Sequence, residues 1–198
     1  TVAGPIALAA SLGVATWRLK RRNISWRELG LVHSTSHLKL VGWTLGALFL
    51  TMAAGILAAN LAIALLPEIT PVSERAADFA QNRFADVPGN WPMYLFWLAI
   101  SWVIGGFVEE LLFRGYLISQ CEKLFAKLPF AVVYGIVIQA LIFGQQHMYY
   151  QGVVGLFETG IIGLVSGTIY VVCGRRLLPL MISHGLANTL GMTMIFLS

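Results

Sequence analysis

The chain has 198 residues, of which 58% are hydrophobic and only 11% charged, with a mean hydropathy of +0.77 and a formal net charge of +4. Soluble domains are usually about 25% charged, so the composition excludes the soluble globular classes and points to an integral membrane protein. The positive balance is not a nucleic-acid signal, because the basic residues gather at the ends of apolar segments, where membrane topology accounts for them.

A spanning helix needs roughly 20 apolar residues, and six segments approach that. The expectation is an all-α, polytopic transmembrane bundle of about six spans plus interfacial helices, forming a single integral membrane domain over residues 1–198. The first span, residues 2–17, is short and reads as truncated. It ends in the basic cluster Arg18-Leu-Lys-Arg-Arg22, an order opposite to that of a secretory leader. Residues 23–39 are mixed and suit an interfacial helix or loop. Residues 40–66 carry no charge and form the second span. Residues 67–92, punctuated by Pro67, Pro71, Pro88 and Pro92, are polar, with room for a short amphipathic helix near 73–84. The third span is 93–120, the fourth 129–147, the fifth 152–173 and the sixth 177–197. Glycines 152, 155, 160, 163 and 167 line the fifth, a spacing that lets helix backbones approach closely in lipid.

Lys and Arg set the orientation. With the amino terminus outside, the inner loops receive Arg18, Lys20, Arg21, Arg22, Arg27, Lys39, Lys123, Lys127, Arg175 and Arg176, ten of the thirteen basic residues. Cys121 and Cys173 then fall at inner helix ends, where thiols stay reduced, and fit no metal-ligand spacing. The Asn23-Ile-Ser25 glycosylation pattern lies on the wrong side to be used. Trp17, Trp43 and Trp91, close to span ends, suit interface anchoring.

Three ionisable residues interrupt the third span: Glu109, Glu110 and Arg114. Each costs about 2.5–3.5 kcal/mol on insertion scales, which makes them a functional site by default. Glu110 and Arg114 are four apart, so on a helix the acid pairs with the base along one face. Glu109 projects about 100° away and need not share that partner, which frees it to face a wet cavity as a base. An ion-pair network that merely orients the bundle is the plainer reading of the same three residues.

His147 and His184 are the histidines found in or at the ends of spans. Asn188 lies one turn after His184, so two donors can face one point, as an oxyanion requires. Glu158 is a further acid, near the outer end of the fifth span. His33 and His37, four apart on the inner interfacial segment, are a possible metal pair or, more plainly, two solvated side chains.

Glu109-Glu110-x-x-x-Arg114, Phe143-x-x-x-His147 and His184-x-x-x-Asn188, in this order and each on its own span, resemble the signature motifs of the CAAX-protease and bacteriocin-processing family (CPBP, Abi-type) of intramembrane endopeptidases. The likeness covers about residues 93–197, a family-like catalytic core. It implies that Glu109 and His147 hold and deprotonate a water and that His184 with Asn188 stabilises the oxyanion. Glu110, Arg114 and Phe143 would support them. The substrate would be a membrane-associated peptide or protein, such as a prenylated tail or a leader peptide. The membrane would be a prokaryotic plasma membrane, or the endoplasmic reticulum in a eukaryote, with the site facing the cytoplasmic half.

The rival chemistry is a zinc site on Glu109, His147 and His184 with an open position for water. The ligands come from three helices and lack the local His-Glu-x-x-His spacing, so a cofactor-free glutamate mechanism is favoured. Rival functions are a proton-coupled transporter, with the same residues as a relay, and a silent scaffold or immunity protein. One piece of arithmetic resists the common site. At 1.5 Å per residue, Glu109 lies roughly 16 Å from its inner span end, His184 about 10 Å and Asn188 about 16 Å, but His147 about 27 Å.

Overall fold

The computed structural model describes residues 3–32, 36–66 and 82–198. Helices α1 (Ala3–Arg21) and α2 (His37–Leu65) are followed by α3 (Trp91–Leu124), α4 (Ala131–Met148), α5 (Gln151–Val172) and α6 (Leu178–Leu197). There is no strand among the described residues. Five of these helices, α2 to α6, are long and apolar enough to cross a membrane. The first helix forms, but it ends in Arg18, Lys20 and Arg21 and falls short of that measure.

Local chemistry sets the ends. Ser36 caps α2 by accepting from the Lys39 N–H, which starts the helix three residues before the uncharged run. Asn90 caps α3 through the Met93 N–H at 3.3 Å, and Pro92 occupies a first-turn position whose N–H has no helical partner. Residues 23–32 form turns rather than a helix. They dock on the bundle, where the Tyr170 hydroxyl donates to the Leu29 carbonyl at 2.9 Å and the Leu177 N–H to the Gly30 carbonyl at 3.0 Å. Most of the amphipathic helix expected near 73–84 lies outside the described residues, as does His33.

Helices α4 and α5 form a tight antiparallel hairpin. Gly152 breaks it with φ 65° and ψ −162°, a conformation only glycine adopts freely. The glycine spacing of α5 finds its partner in α4: a Cβ on Gly163 would lie 2.9 Å from the Ala140 Cα. Gln139 reaches across the same seam and donates to the Gly163 carbonyl at 2.7 Å. Helix α3 runs between this hairpin and α6. The Tyr94 and Thr193 hydroxyls meet at 3.0 Å, and Trp102 Nε1 donates to Thr189 at 3.0 Å, so α6 lies antiparallel along it. Large apolar side chains such as Phe49, Leu57 and Met194 face outward, while Thr44, Gln139 and Ser166 are buried. This arrangement suits a chain solvated by lipid.

Candidate active site

Every residue from Val108 to Gly115 is buried. Helix α3 is enclosed on all sides there, so the two glutamates both end in protein although adjacent side chains diverge. Neither acid opens to bulk solvent: Glu109 is 7% exposed and Glu110 2%. From Ser101 to Leu117 the helix is also wound as a π-helix, its end marked by the Ile118 N–H bonding the Phe113 carbonyl five residues back. Such windings are rare and concentrate at functional sites.

The acids are held differently. Glu110 Oε1 meets Arg114 Nη1 at 3.2 Å and His184 Nδ1 at 2.8 Å. Arg114, 1% exposed, bonds Ser166 of α5 through Nε at 3.1 Å and also through Nη2. Its guanidinium lies 4.5 Å over the Phe143 ring, a cation–π contact. Glu109 accepts from Gln146 Nε2 at 3.0 Å, and its other oxygen stands 4.0 Å from His184 Nε2. His184 therefore addresses both acids, one through each ring nitrogen. A carboxylate paired with Arg114 accepts only, so Nδ1 carries a proton and Nε2 donates only when the ring is cationic.

Asn188 Nδ2 donates to the Ser101 carbonyl at 3.2 Å. One of its two amide hydrogens remains for another acceptor. The missing side chain of Gly105 defines where that donor meets His184: a Cβ there would lie 2.6 Å from Asn188 Nδ2 and 3.4 Å from His184 Nε2. Asn188 Nδ2 and His184 Nε2 thus converge over a bare stretch of α3 backbone.

Helix α4 closes the other side. His147 is buried and its Nδ1 donates to the Phe143 carbonyl at 2.8 Å, which makes Nε2 the basic nitrogen of the neutral ring. Phe143 lies 4.6 Å from the His147 ring and 6.4 Å from that of His184, linking the two. The depth mismatch expected for His147 shrinks because α3 continues to Leu124. Glu109 then stands about 22 Å from its helix end, against about 24 Å for His147 from Ala131. The longer α3 removes the mismatch with Glu109 alone; His184 stays about 9 Å from Leu178, so it meets the others because the helix ends are not level.

Gln146, Ser166, Ser101 and Gly105 escaped the sequence reading. Gln146 adjoins His147 and was marked only by lying inside that motif; Ser166 and Gly105 carry no signal that separates them from ordinary span residues. Glu158 is not brought into the site and runs against Gly55 of α2. His37 is exposed at the start of α2. Both cysteines are free and buried, and burial pushes the Cys173 thiol up. Among the described residues, no three His, Cys, Asp or Glu side chains are grouped to hold a metal ion.

Residues 91–190 match the family model described as type II CAAX prenyl endopeptidase Rce1-like. No curated protein and no solved structure matches the chain. The matched stretch begins at the start of α3 and contains every residue of the cluster described above.

Proposed function

Because this chain belongs to the type II CAAX prenyl endopeptidase Rce1-like family, we propose that the Glu109–His147–His184–Asn188 cluster is its catalytic site and that it works without a metal. The family and the five apolar helices make it a multi-pass membrane endopeptidase of the CAAX type. The observation that carries the finer reading is the bracketing of His184 by Glu110 at 2.8 Å and Glu109 at 4.0 Å.

A water held between Glu109 and His147 attacks the scissile carbonyl carbon. Its hydroxyl oxygen bonds to that carbon and its proton passes to Glu109. The carbonyl oxygen becomes an oxyanion over Gly105, where the second Asn188 hydrogen and Nε2–H of cationic His184 meet it. Each such donor is worth about 3 kcal/mol in the transition state. Glu110 supports the cationic ring, and Arg114 keeps Glu110 an acceptor. Collapse of the intermediate breaks the C–N bond, and Glu109 returns the proton to the leaving amine. Gln146 fixes one Glu109 oxygen so that the other faces the reacting water.

The substrate is a membrane-associated peptide, a prenylated CAAX-type tail or a leader peptide, reaching the site from the basic, cytoplasmic half of the bundle. The test is cleavage of membrane-tethered peptides by the purified protein. Glu109→Ala and His184→Ala each abolish it. Cleavage persisting in both variants, or proton flux without cleavage, overturns the assignment. Activity survives chelation and metal-free preparation; activity lost on chelation and restored by zinc sinks the metal-free mechanism alone.

A further inference from the structure

At the basic end of the bundle lies a cavity of about 290 Å³ that shares no residue with the cluster above. Lys39 and Leu40 from the first turn of α2 line it, with Trp43 one turn on. Val172 closes it from the end of α5, and Arg176 and Pro179 from around the start of α6.

Its electrostatics favour an anion. Among the described residues neither Lys39 nor Arg176 is in an ion pair, whereas the adjacent Arg175 is clasped by Glu122. The positive first turns of α2 and α6 meet the negative carboxyl end of α5 at this wall, so the preference for an anion comes from the two cations themselves. Arg176 is half-buried and Lys39 exposed.

The remaining wall says which anion. Leu40, Trp43 and Val172 form an apolar strip running from the cations toward the lipid-facing surface, and Val172 is 65% exposed. A tryptophan beside cations at the end of a span marks headgroup depth. Free phosphate has no use for that strip, whereas a lipid has a chain to lay along it. Basic pockets between spans at such ends take anionic headgroups.

We propose that this cavity binds the headgroup phosphate of an anionic phospholipid, with Lys39 and Arg176 on the phosphate and an acyl chain along Leu40, Trp43 and Val172. The proposal does not depend on the peptidase reading.

The test uses the full chain in phosphatidylcholine nanodiscs carrying a minor share of brominated phosphatidylglycerol or, as control, brominated phosphatidylcholine. Tryptophan fluorescence is quenched more by the glycerol lipid, and Trp43→Phe removes that excess. Lys39→Gln and Arg176→Gln each raise the lipid fraction needed for half-quenching by about fivefold. The charge-preserving Lys39→Arg leaves it unchanged. Equal quenching by the two lipids in the unaltered protein overturns the proposal without recourse to any variant. So does an excess that survives both charge removals. Loss of the excess on adding inorganic phosphate, or a peptide with a free C-terminal carboxylate, also overturns it, since the site would then serve a soluble anion or the substrate.

Discussion

Helix α3 carries two carboxylate–guanidinium pairs, and they obey opposite rules. At its end, Glu122 grips Arg175 in a fork, at 2.6 and 2.7 Å, with side chains 23% and 42% exposed. At its middle, Glu110 touches Arg114 once, at 3.2 Å, with both side chains almost wholly buried. The better geometry is where water screens the pair; the poorer is where a poor contact costs most. What separates them is a third claimant. Glu110 Oε1 is shared with His184, Arg114 turns its Nε and Nη2 to Ser166, and Glu110 Oε2 is buried with no hydrogen-bond partner among the described residues. A pair selected for stability alone resembles the one at Glu122. The buried one is compromised in the direction of the histidine.

Breaking the buried pair gives the largest expected effect. Arg114→Met leaves Glu110 charged in the core with only His184 beside it and costs about 3–5 kcal/mol, read by unfolding in detergent. Adding Glu110→Gln to that variant recovers much of the loss, because it removes the buried charge. If Arg114→Met costs no more than the same change at Arg175, the contrast between the pairs is wrong. Glu110→Gln alone keeps the shape but withdraws the negative charge beside His184. Peptide cleavage then falls roughly 100- to 1,000-fold, the scale of one lost oxyanion donor. A variant that stays folded and cleaves at the normal rate would leave Glu110 a purely structural residue.

How much of this the sequence could disclose depends on charge. Glu109, Glu110, Arg114, His147 and His184 stand out in apolar spans because burying them is costly, and the i, i+4 pairing of Glu110 with Arg114 is fixed by helical geometry. The glycine seam was readable as close packing, though not which helix it met. Gln146 and Ser166 are neutral, and Ser166 satisfies its hydroxyl within its own helix, donating to the Ile162 carbonyl at 2.7 Å. Nothing local distinguishes such a serine from one that merely fills space. Nor did spacing show that His184 would turn Nδ1 to Glu110 and so need a positive charge to donate from Nε2. That follows from how α6 lies on α3, a tertiary fact. The Lys39–Arg176 cavity was hidden for the same reason, since the topology count treated both as ordinary loop cations.

At the other pair the expected effects are small. Arg175→Gln removes a fork that is partly solvated, and its cost is about 1 kcal/mol or less. The Glu122 hydrogen bonds raise the Arg175 guanidinium further above neutrality, so Arg175 keeps its charge throughout any working range. Cleavage is unchanged, because the fork ties the 173–177 turn to α3 without touching the cluster. A loss of activity comparable to that of Glu110→Gln would mean that the two pairs are mechanically coupled.

The smallest effect belongs to a carboxylate in the exposed turn that leans on α5 and α6. Glu28 Oε1 accepts from the Ser25 N–H at 2.7 Å and from its hydroxyl at 2.9 Å, and the backbone contact chiefly holds the carboxyl below its usual range. A folded value below the unfolded one, near 4.3 for glutamate, means that the contribution is fully present above about pH 5. It is lost as acid carries the solution through the folded value. Hydrogen exchange at Leu29 and Leu31 therefore quickens on the acid side, and Glu28→Gln flattens that limb while leaving neutral pH almost untouched. The turn matters to the bundle because its Leu29 and Gly30 carbonyls receive Tyr170 and Leu177. Leu177 opens the helix that carries His184, so the loosening should be felt first at the α6 start. If exchange quickens equally in Glu28→Gln, the acid sensitivity arises in the bundle itself, and the division between a solvated frame and a buried, histidine-bound centre is less sharp than the two ion pairs make it.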